Sequence, residues 1–295
     1  MGSSEKIKKL ALGTAQFGLD YGVSNKRGLV PAPEVLDILK LAAAAGVDML
    51  DTAQAYGTSE AVIGGCLKAC GARFKVVTKL KDVPAAGTEA SLRGSLGRTT
   101  AAGFYGVLLH SYEEFAANPA GYAALLKARD LGLTGKTGFS LYHPEQAEAL
   151  LAGKVDFNLV QVPYSLLDRR FESVFPELKA AGVEIHVRSV FLQGLLLMEP
   201  ASIPAGLKRA APKVEAIQRY ARGKGWTPPA VCAGFALATP LVDRVVIGVD
   251  DLGALAANLD GLRALPEGTL PGLEASLGGL AETDEDLILP QNWKQ

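Results

Sequence analysis

Along the chain, short apolar runs of strand character alternate with longer segments whose apolar positions return every three or four residues, the period of a helix with one buried face. The strand-like runs are Lys9–Ala15, Val47–Asp51, Phe74–Leu80, Tyr105–Leu109, Gly135–Leu141, Asp156–Val162, Val183–Val190 and Asp243–Ile247. Helical patterns answer them from Pro31 onward and over Ser59–Cys70, Glu89–Arg98, Tyr122–Arg129, Pro144–Gly153, Glu172–Gly182, Lys213–Gly223 with Pro228–Ala238, and Leu252–Leu262. Thr58 or Ser59 is placed to cap the helix of the second unit, and Pro144 suits a helix's first turn. Eight strands, each followed by a helix, predict an α/β protein: a parallel eight-stranded (β/α)8 TIM barrel forming a single domain over 1–295. Residues 1–6 and 282–295 read as terminal segments, the latter acidic, polar and separable. The glycine-rich GTAQFG after the first run lacks the GxGxxG spacing of a Rossmann turn, which excludes a doubly wound sheet.

The polar residues that close these runs carry the candidate chemistry. Asp51 ends the second run, Tyr56 lies in the loop after it, Lys79 falls at the end of the third and His110 follows the fourth. In a barrel of this kind, strand C-termini and the loops beyond them form the working face. Singly, such an aspartate is more often a turn or cap residue; four residues in step point to chemistry. A phenol titrates near 10 and donates poorly at neutral pH unless adjacent positive charge stabilises the phenolate. Lys79 is expected to supply that charge, Asp51 to pair with Lys79, and His110 to orient a carbonyl oxygen. Tyr56 is then a general acid that protonates the alkoxide formed when hydride arrives, or does the reverse.

Composition narrows the alternatives. With 295 residues, 48% of them hydrophobic, the chain can bury a large core. The 30 basic and 31 acidic residues leave a formal net charge of −1, so no overall field favours a polyanion or an anionic membrane surface, and neither nucleic acid nor membrane is an expected partner. No apolar run approaches the ~18 residues of a membrane span, and the opening MGSSEKIKK has no signal-like core, so a cytoplasmic location is expected. Cys66, Cys70 and Cys232 form no CxxC and read as buried thiols in a reducing compartment. Cys66 and Cys70 share a helix face with no histidine pair nearby, so no metal site is expected.

DTAQAYG, VVTKL and VLLH, in this order and spacing, resemble the aldo-keto reductases, and the resemblance runs from GTAQFG to the helix ending near Leu262. It implies a barrel that binds NAD(P)(H) extended across its mouth and exchanges hydride with a small aldehyde or ketone, or with the corresponding alcohol; a sugar-like carbonyl is one option. Carried onto this chain, it makes Tyr56 the proton donor, with Asp51, Lys79 and His110 in support. Gly13 and Thr14 match positions where the family's first strand meets the cofactor. Ser140 and Gln161 resemble the side chains that hold the carboxamide, with Leu141 standing where asparagine is usual. Arg188 stands where many members stack an aromatic ring under the nicotinamide, and a planar guanidinium can also stack. Ser189, Phe191, Leu192 and Gly194 continue along the pyrophosphate, with Lys208, Arg209 and Lys213 available as phosphate partners. Asn258 matches an adenine-contacting position, preceded by Ile247, Gly248, Val249 and Asp250.

Where the family usually clamps a 2′-phosphate with Lys, Arg, Ser or Thr, this chain offers Asp250 and Asp251. Acids there favour a ribose hydroxyl and NAD(H), against the family's leaning to NADP(H); both remain open, as does a capping role for the two aspartates. Phe17, Tyr21, Tyr112 and Trp293 are the aromatic candidates for a substrate wall. Two other functions fit the same residues: a Schiff-base lyase with Lys79 as the amine, and a slow-turnover, cofactor-binding regulatory protein. Nothing indicates the oligomeric state.

Overall fold

The computed structural model describes residues 1–81 and 85–293. Its strands are β1 (Leu10–Gly13), β2 (Met49–Asp51), β3 (Lys75–Leu80), β4 (Phe104–Leu109), β5 (Thr134–Ser140), β6 (Leu159–Pro163), β7 (Glu184–Arg188) and β8 (Arg244–Gly248). All pair in parallel in chain order, and β8 closes on β1. Around them run α1 (Ser3–Lys8), α2 (Ala32–Ala45), α3 (Ser59–Cys70), α4 (Thr88–Thr99), α5 (Tyr112–Ala117), α6 (Pro119–Asp130) and α7 (Pro144–Ala152). The circuit continues with α8 (Phe175–Ala180), α9 (Ala211–Lys224), α10 (Pro228–Ala238), α11 (Leu252–Ala264), α12 (Leu270–Leu277) and α13 (Glu285–Ile288). This is the expected (β/α)8 barrel.

Alternation along the strands divides the core in two. Ala11, Met49, Val77, Leu108, Leu159 and Val246 point inward and make a small apolar layer inside the barrel. Their neighbours, including Leu12, Leu50, Val107, Val160, Val187 and Ile247, face the helices and belong to the larger outer core. Below the inner layer, Glu184 accepts from the Tyr105 hydroxyl at 2.7 Å and meets His186 Nε2 at 2.7 Å, which closes the barrel's lower end with polar contacts. Above it, each inward position two residues further on belongs to the next layer, and that layer is Gly13, Asp51, Lys79, His110, Gln161 and Gly248. Side-chain period alone lifts these groups to the C-terminal mouth.

Several strands are shorter than their apolar runs. β6 begins at Leu159, not Asp156, because Asp156 pairs with Arg129 at 2.6 Å and the Asn158 side chain accepts from the Thr137 amide at 3.0 Å. The segments set apart as terminal are packed. Lys6 of α1 is fully buried and donates to the carbonyls of Leu262 (3.0 Å) and Leu265 (2.6 Å) at the end of α11. In the tail, Leu287, Ile288 and Leu289 are buried and the Trp293 indole donates to Leu287 O at 3.1 Å; positions 294 and 295 lie outside the described residues. Among the described residues no helix is long and apolar enough to cross a membrane.

Candidate active site

Asp51 is the fixed point of the mouth. Its Oδ1 accepts from Lys79 Nζ at 2.7 Å and its Oδ2 from Gln161 Nε2 at 2.7 Å, while its backbone carbonyl accepts from the Thr14 hydroxyl at 2.9 Å. Lys79 completes its donors on Thr52 O at 3.0 Å and the Tyr56 hydroxyl at 3.5 Å. The Tyr56 ring meets His110 edge-on, with centroids 6.0 Å apart. The four residues expected to act together are therefore together.

Two glycines place Tyr56. A Cβ on Gly18 would lie 2.0 Å from Tyr56 O, and one on Gly57, where φ is +54°, would lie 2.2 Å from Gly18 O. The loops after β1 and β2 thus press backbone on backbone, which no side chain at either position allows. Ser59, expected as a cap, instead donates its hydroxyl to Thr14 O at 2.8 Å, and Thr58 makes no side-chain capping bond to α3. The work of Ser59 is to tie β1 to the loop that carries the phenol.

Electrostatics at the mouth differ from the sequence expectation in one respect. The Tyr56 phenol is pushed above its ordinary value, by burial first and by the Asp51 charge second, with Arg188 acting in the opposite direction. Lys79 does not reverse this, because its charge is matched by Asp51 at 2.7 Å and the pair presents little net charge to the phenol. Burial holds the Lys79 value below its ordinary one, with the Asp51 charge and hydrogen bond opposing that shift without cancelling it. His110 is pushed down to about 3, by burial and then by Lys79 and Arg188, so its ring is neutral; its Nδ1 is buried with no partner among the described residues.

These groups open into a cavity of about 490 Å³ that also reaches Gly13, Thr14, Ser140, Arg188, Ser189, Phe191, Gly194, Gly248, Val249, Asp250 and Asn258. Three expected residues are not on its wall. Ile247 is out of phase with the inward positions and packs against the helices, and Leu192 is wholly buried in the outer core. Gln161 lies beneath the floor with Nε2 committed to Asp51, while its Oε1 is a buried acceptor lacking a partner among the described residues. Arg188 lies over the ring of Tyr142, with Cζ 4.3 Å from the centroid, so the aromatic surface it stacks on is the chain's own. The wall also includes residues sequence reasoning missed, notably Gln16, Ser24, Asn25, Tyr142 and Gln193. Tyr142 follows Ser140 at strand phase, which was a usable signal; the loop residues carry none.

Of the aromatic candidates, Tyr21 lines this cavity, whereas Phe17 is core and Tyr112 packs on Phe115. Trp293 and Tyr21 line a neighbouring cavity of about 730 Å³ between the β1 loop, the insert after β7 and the tail. The segment after β6 is built from ion pairs, Arg170 with Asp168 at 2.9 Å and Arg169 with Glu172 at 2.8 Å.

At the other end of the cavity, the start of α11 is already supplied with carboxylates. Asp251 caps it by accepting from the Ala254 amide at 2.6 Å, and Glu34 accepts from the Leu252 amide at 3.1 Å. Arg27 crosses from the β1 loop to Glu34 at 2.9 Å and donates to Asp250 O at 3.2 Å. Lys208, Arg209 and Lys213 are engaged elsewhere, on Ala201 O (2.9 Å), Asp284 (3.0 Å) and Leu280 O (2.9 Å) respectively.

A parallel barrel with a buried, charge-paired Tyr–Lys–Asp–His site over its C-terminal mouth defines a barrel enzyme class. Residues 9–268 match the model of the aldo/keto reductase family, and the chain belongs to that family. Among curated proteins it is similar to the uncharacterized oxidoreductases Mb2320 of Mycobacterium bovis and Rv2298 of Mycobacterium tuberculosis, each 30% identical over 203 residues. Those matches cover 65% of this chain and 60% of each relative's length. Among solved structures, the holo form of the aldo-keto reductase AKR11C1 from Bacillus halodurans superposes with a TM-score of 0.77 at 20% identity, over 97% of this chain and 95% of that one. PA4992, a putative aldo-keto reductase from Pseudomonas aeruginosa, gives 0.66 at 24% identity over 87% and 91%.

The His110 ring sets a pH test. Unfolded, the imidazole takes a proton near 6.5; folded, it refuses one until about pH 3, so acidification across that window draws the chain toward unfolding. Urea denaturation from pH 7 to pH 3 should show His110→Gln losing less stability than the parent. Equal losses would mean the ring is protonated in the folded site.

Proposed function

We propose that the chain is an NAD(P)(H)-dependent oxidoreductase that interconverts an aldehyde or ketone with its alcohol, with Tyr56 as general acid. The observation that carries this reading is the buried relay of Asp51, Lys79 and Tyr56, at 2.7 and 3.5 Å, with a neutral His110 beside it on the same cavity. Ser140, on the cavity wall, stands in register with Gln161, whose Oε1 is a buried acceptor without a partner among the described residues; polar groups of this kind at the mouth suit a carboxamide and support the fit of a nicotinamide dinucleotide. Gly13, Thr14 and Ser140 would receive its reactive end, and Ser189, Phe191, Gly194, Gly248, Val249 and Asn258 the remainder. When bound, that group supplies or accepts the hydride.

The chain's own residues handle the proton. In reduction, the Tyr56 hydroxyl gives its proton to the substrate oxygen as that oxygen gains charge, and the neutral His110 ring holds the oxygen by hydrogen bonding. A raised phenol value keeps Tyr56 protonated beforehand, and phenol remains a stronger acid than the alcohol being formed. Lys79, 3.5 Å from the hydroxyl, donates a hydrogen bond to the phenolate left behind, and Asp51 favours the charged form of Lys79 against its burial. The lyase reading finds less support: an amine nucleophile must be neutral and reachable, whereas Lys79 is 1% exposed with its donors engaged. A purely regulatory role finds no feature in its favour.

For the dinucleotide, the acids of α11 support NAD(H). Hydride chemistry belongs at Tyr56, so the adenosine half belongs at the far end, where Glu34 and Asp251 occupy helix amides that a 2′-phosphate would need. Arg27 is already taken up by Glu34 and Asp251, and Lys208, Arg209 and Lys213 are committed to the insert and the tail. Equilibrium titration should therefore show 5′-AMP binding more tightly than adenosine 2′,5′-bisphosphate, and NADH more tightly than NADPH. The reverse order would place the phosphate clamp on residues other than these.

Tyr56→Phe should keep fold and dinucleotide affinity while lowering kcat by about a hundred- to ten-thousand-fold, the usual worth of a positioned acid. Full turnover in that variant would remove the mechanism.

A further inference from the structure

Arg188, at the end of β7, is firmly held yet has no ionic partner among the described residues. Its Nη2 donates to Leu141 O at 3.1 Å, its Nη1 to the Ser189 hydroxyl at 3.3 Å, and its Cζ lies 4.3 Å from the Tyr142 ring centroid. Tyr142 is anchored in turn, its amide donating to Gln146 Oε1 at 2.8 Å and its carbonyl accepting from Arg170 at 3.2 Å. Yet among the described residues no carboxylate stands within ion-pair distance of the Arg188 guanidinium. The other cation of this end, Lys79, is matched by Asp51, so the part of the cavity around Tyr56 carries one positive charge in excess. Asp250 is no counter-ion, since it belongs to the start of α11.

A half-buried guanidinium without a counter-ion is costly to keep unless something completes the pair. Its planar fork matches a carboxylate or phosphate, and three contacts leave it little freedom to lose on binding one. With no such group among the described residues, a ligand is the source that would bring one, and it would do so beside the phenol that handles the proton.

We propose that Arg188 anchors an acidic group of the substrate, a carboxylate or phosphate monoester carried near the carbonyl, so that the site acts on oxo-acids or phosphorylated oxo-compounds in preference to neutral ones. This rests on the oxidoreductase reading and adds the substrate class to it. In the step itself, hydride adds to the carbonyl carbon, the Tyr56 proton goes to the carbonyl oxygen, and the acidic group stays unchanged on Arg188.

Two measurements on the intact, NAD(H)-loaded protein test this. In calorimetric titration, succinate or inorganic phosphate, neither of which can be reduced, should bind the parent, at least tenfold more weakly in Arg188→Gln, and with intermediate affinity in Arg188→Lys; which anion binds separates carboxylate from phosphate recognition. In turnover, succinic semialdehyde should be reduced by the parent with more than ten times the catalytic efficiency (kcat/KM) shown toward butanal, its uncharged counterpart. That ratio should collapse toward one in Arg188→Gln, mainly through a weaker KM. Failure of both anions to bind, affinity unchanged by Arg188→Gln, or a parent ratio near one would overturn the proposal. Anion binding that depends on Arg188 with no reduction of either carbonyl compound would uphold the Arg188 anion site and count against the oxidoreductase reading instead.

Discussion

The ion pair between Asp51 and Lys79 is the constraint on which the mouth of this barrel depends. Taking both charges out of water is expensive, and removing one partner of such a pair typically costs about 3–5 kcal/mol because the other is left uncompensated. The arrangement persists because the carboxylate is saturated, by Lys79 and Gln161, and because the ammonium has three acceptors, Asp51, Thr52 O and the Tyr56 hydroxyl. The apolar layer of Met49, Val77, Leu108 and Leu159 directly beneath keeps water from entering below. One buried pair thus fixes the phenol's position and, through Gln161, ties β2 and β3 to β6.

Charge is distributed unevenly along the cavity that opens above it. The end around Tyr56 holds Lys79, Arg188 and Asp51, while the end at α11 has Asp250 on its wall, with Asp251 and Glu34 at the helix start beside it and Arg27 bridging them. Such polarity orients a ligand that is anionic at one end and offers hydroxyls at the other. The loop after β1, the insert after β7 and the C-terminal tail meet over this groove, which gives the terminal segment a place in the site and not merely beside it.

Much of this was legible from the chain. Period-two alternation in VDMLD, FKVVTKL and YGVLLH puts Asp51, Lys79 and His110 on the inward face, and the barrel follows from counting the units. The same parity argues against Ile247, which resemblance suggested and the structure turns outward. What was not legible depends on contacts between distant segments. The insertion of Lys6 under the end of α11, the Arg27–Glu34 bridge to Asp250, and the stacking of Arg188 on Tyr142 join residues whose types are ordinary surface types in sequence. The phenol's upward shift was hidden for a related reason: it comes first from burial and then from the Asp51 charge, whereas in sequence a lysine beside a tyrosine suggests a lowered value, and only the structure shows that lysine paired with Asp51 at 2.7 Å.

The central claim is that this mouth moves a hydride to a carbonyl carbon while Tyr56 moves the proton. Incubating the protein with dihydronicotinamide dinucleotide deuterated at both C4 positions and an aldehyde substrate, then weighing the alcohol by mass spectrometry, tests it most directly. The account expects one deuterium on the carbinol carbon of every alcohol molecule formed. Unlabelled alcohol, or a borohydride-trapped adduct on Lys79 in its place, would contradict it.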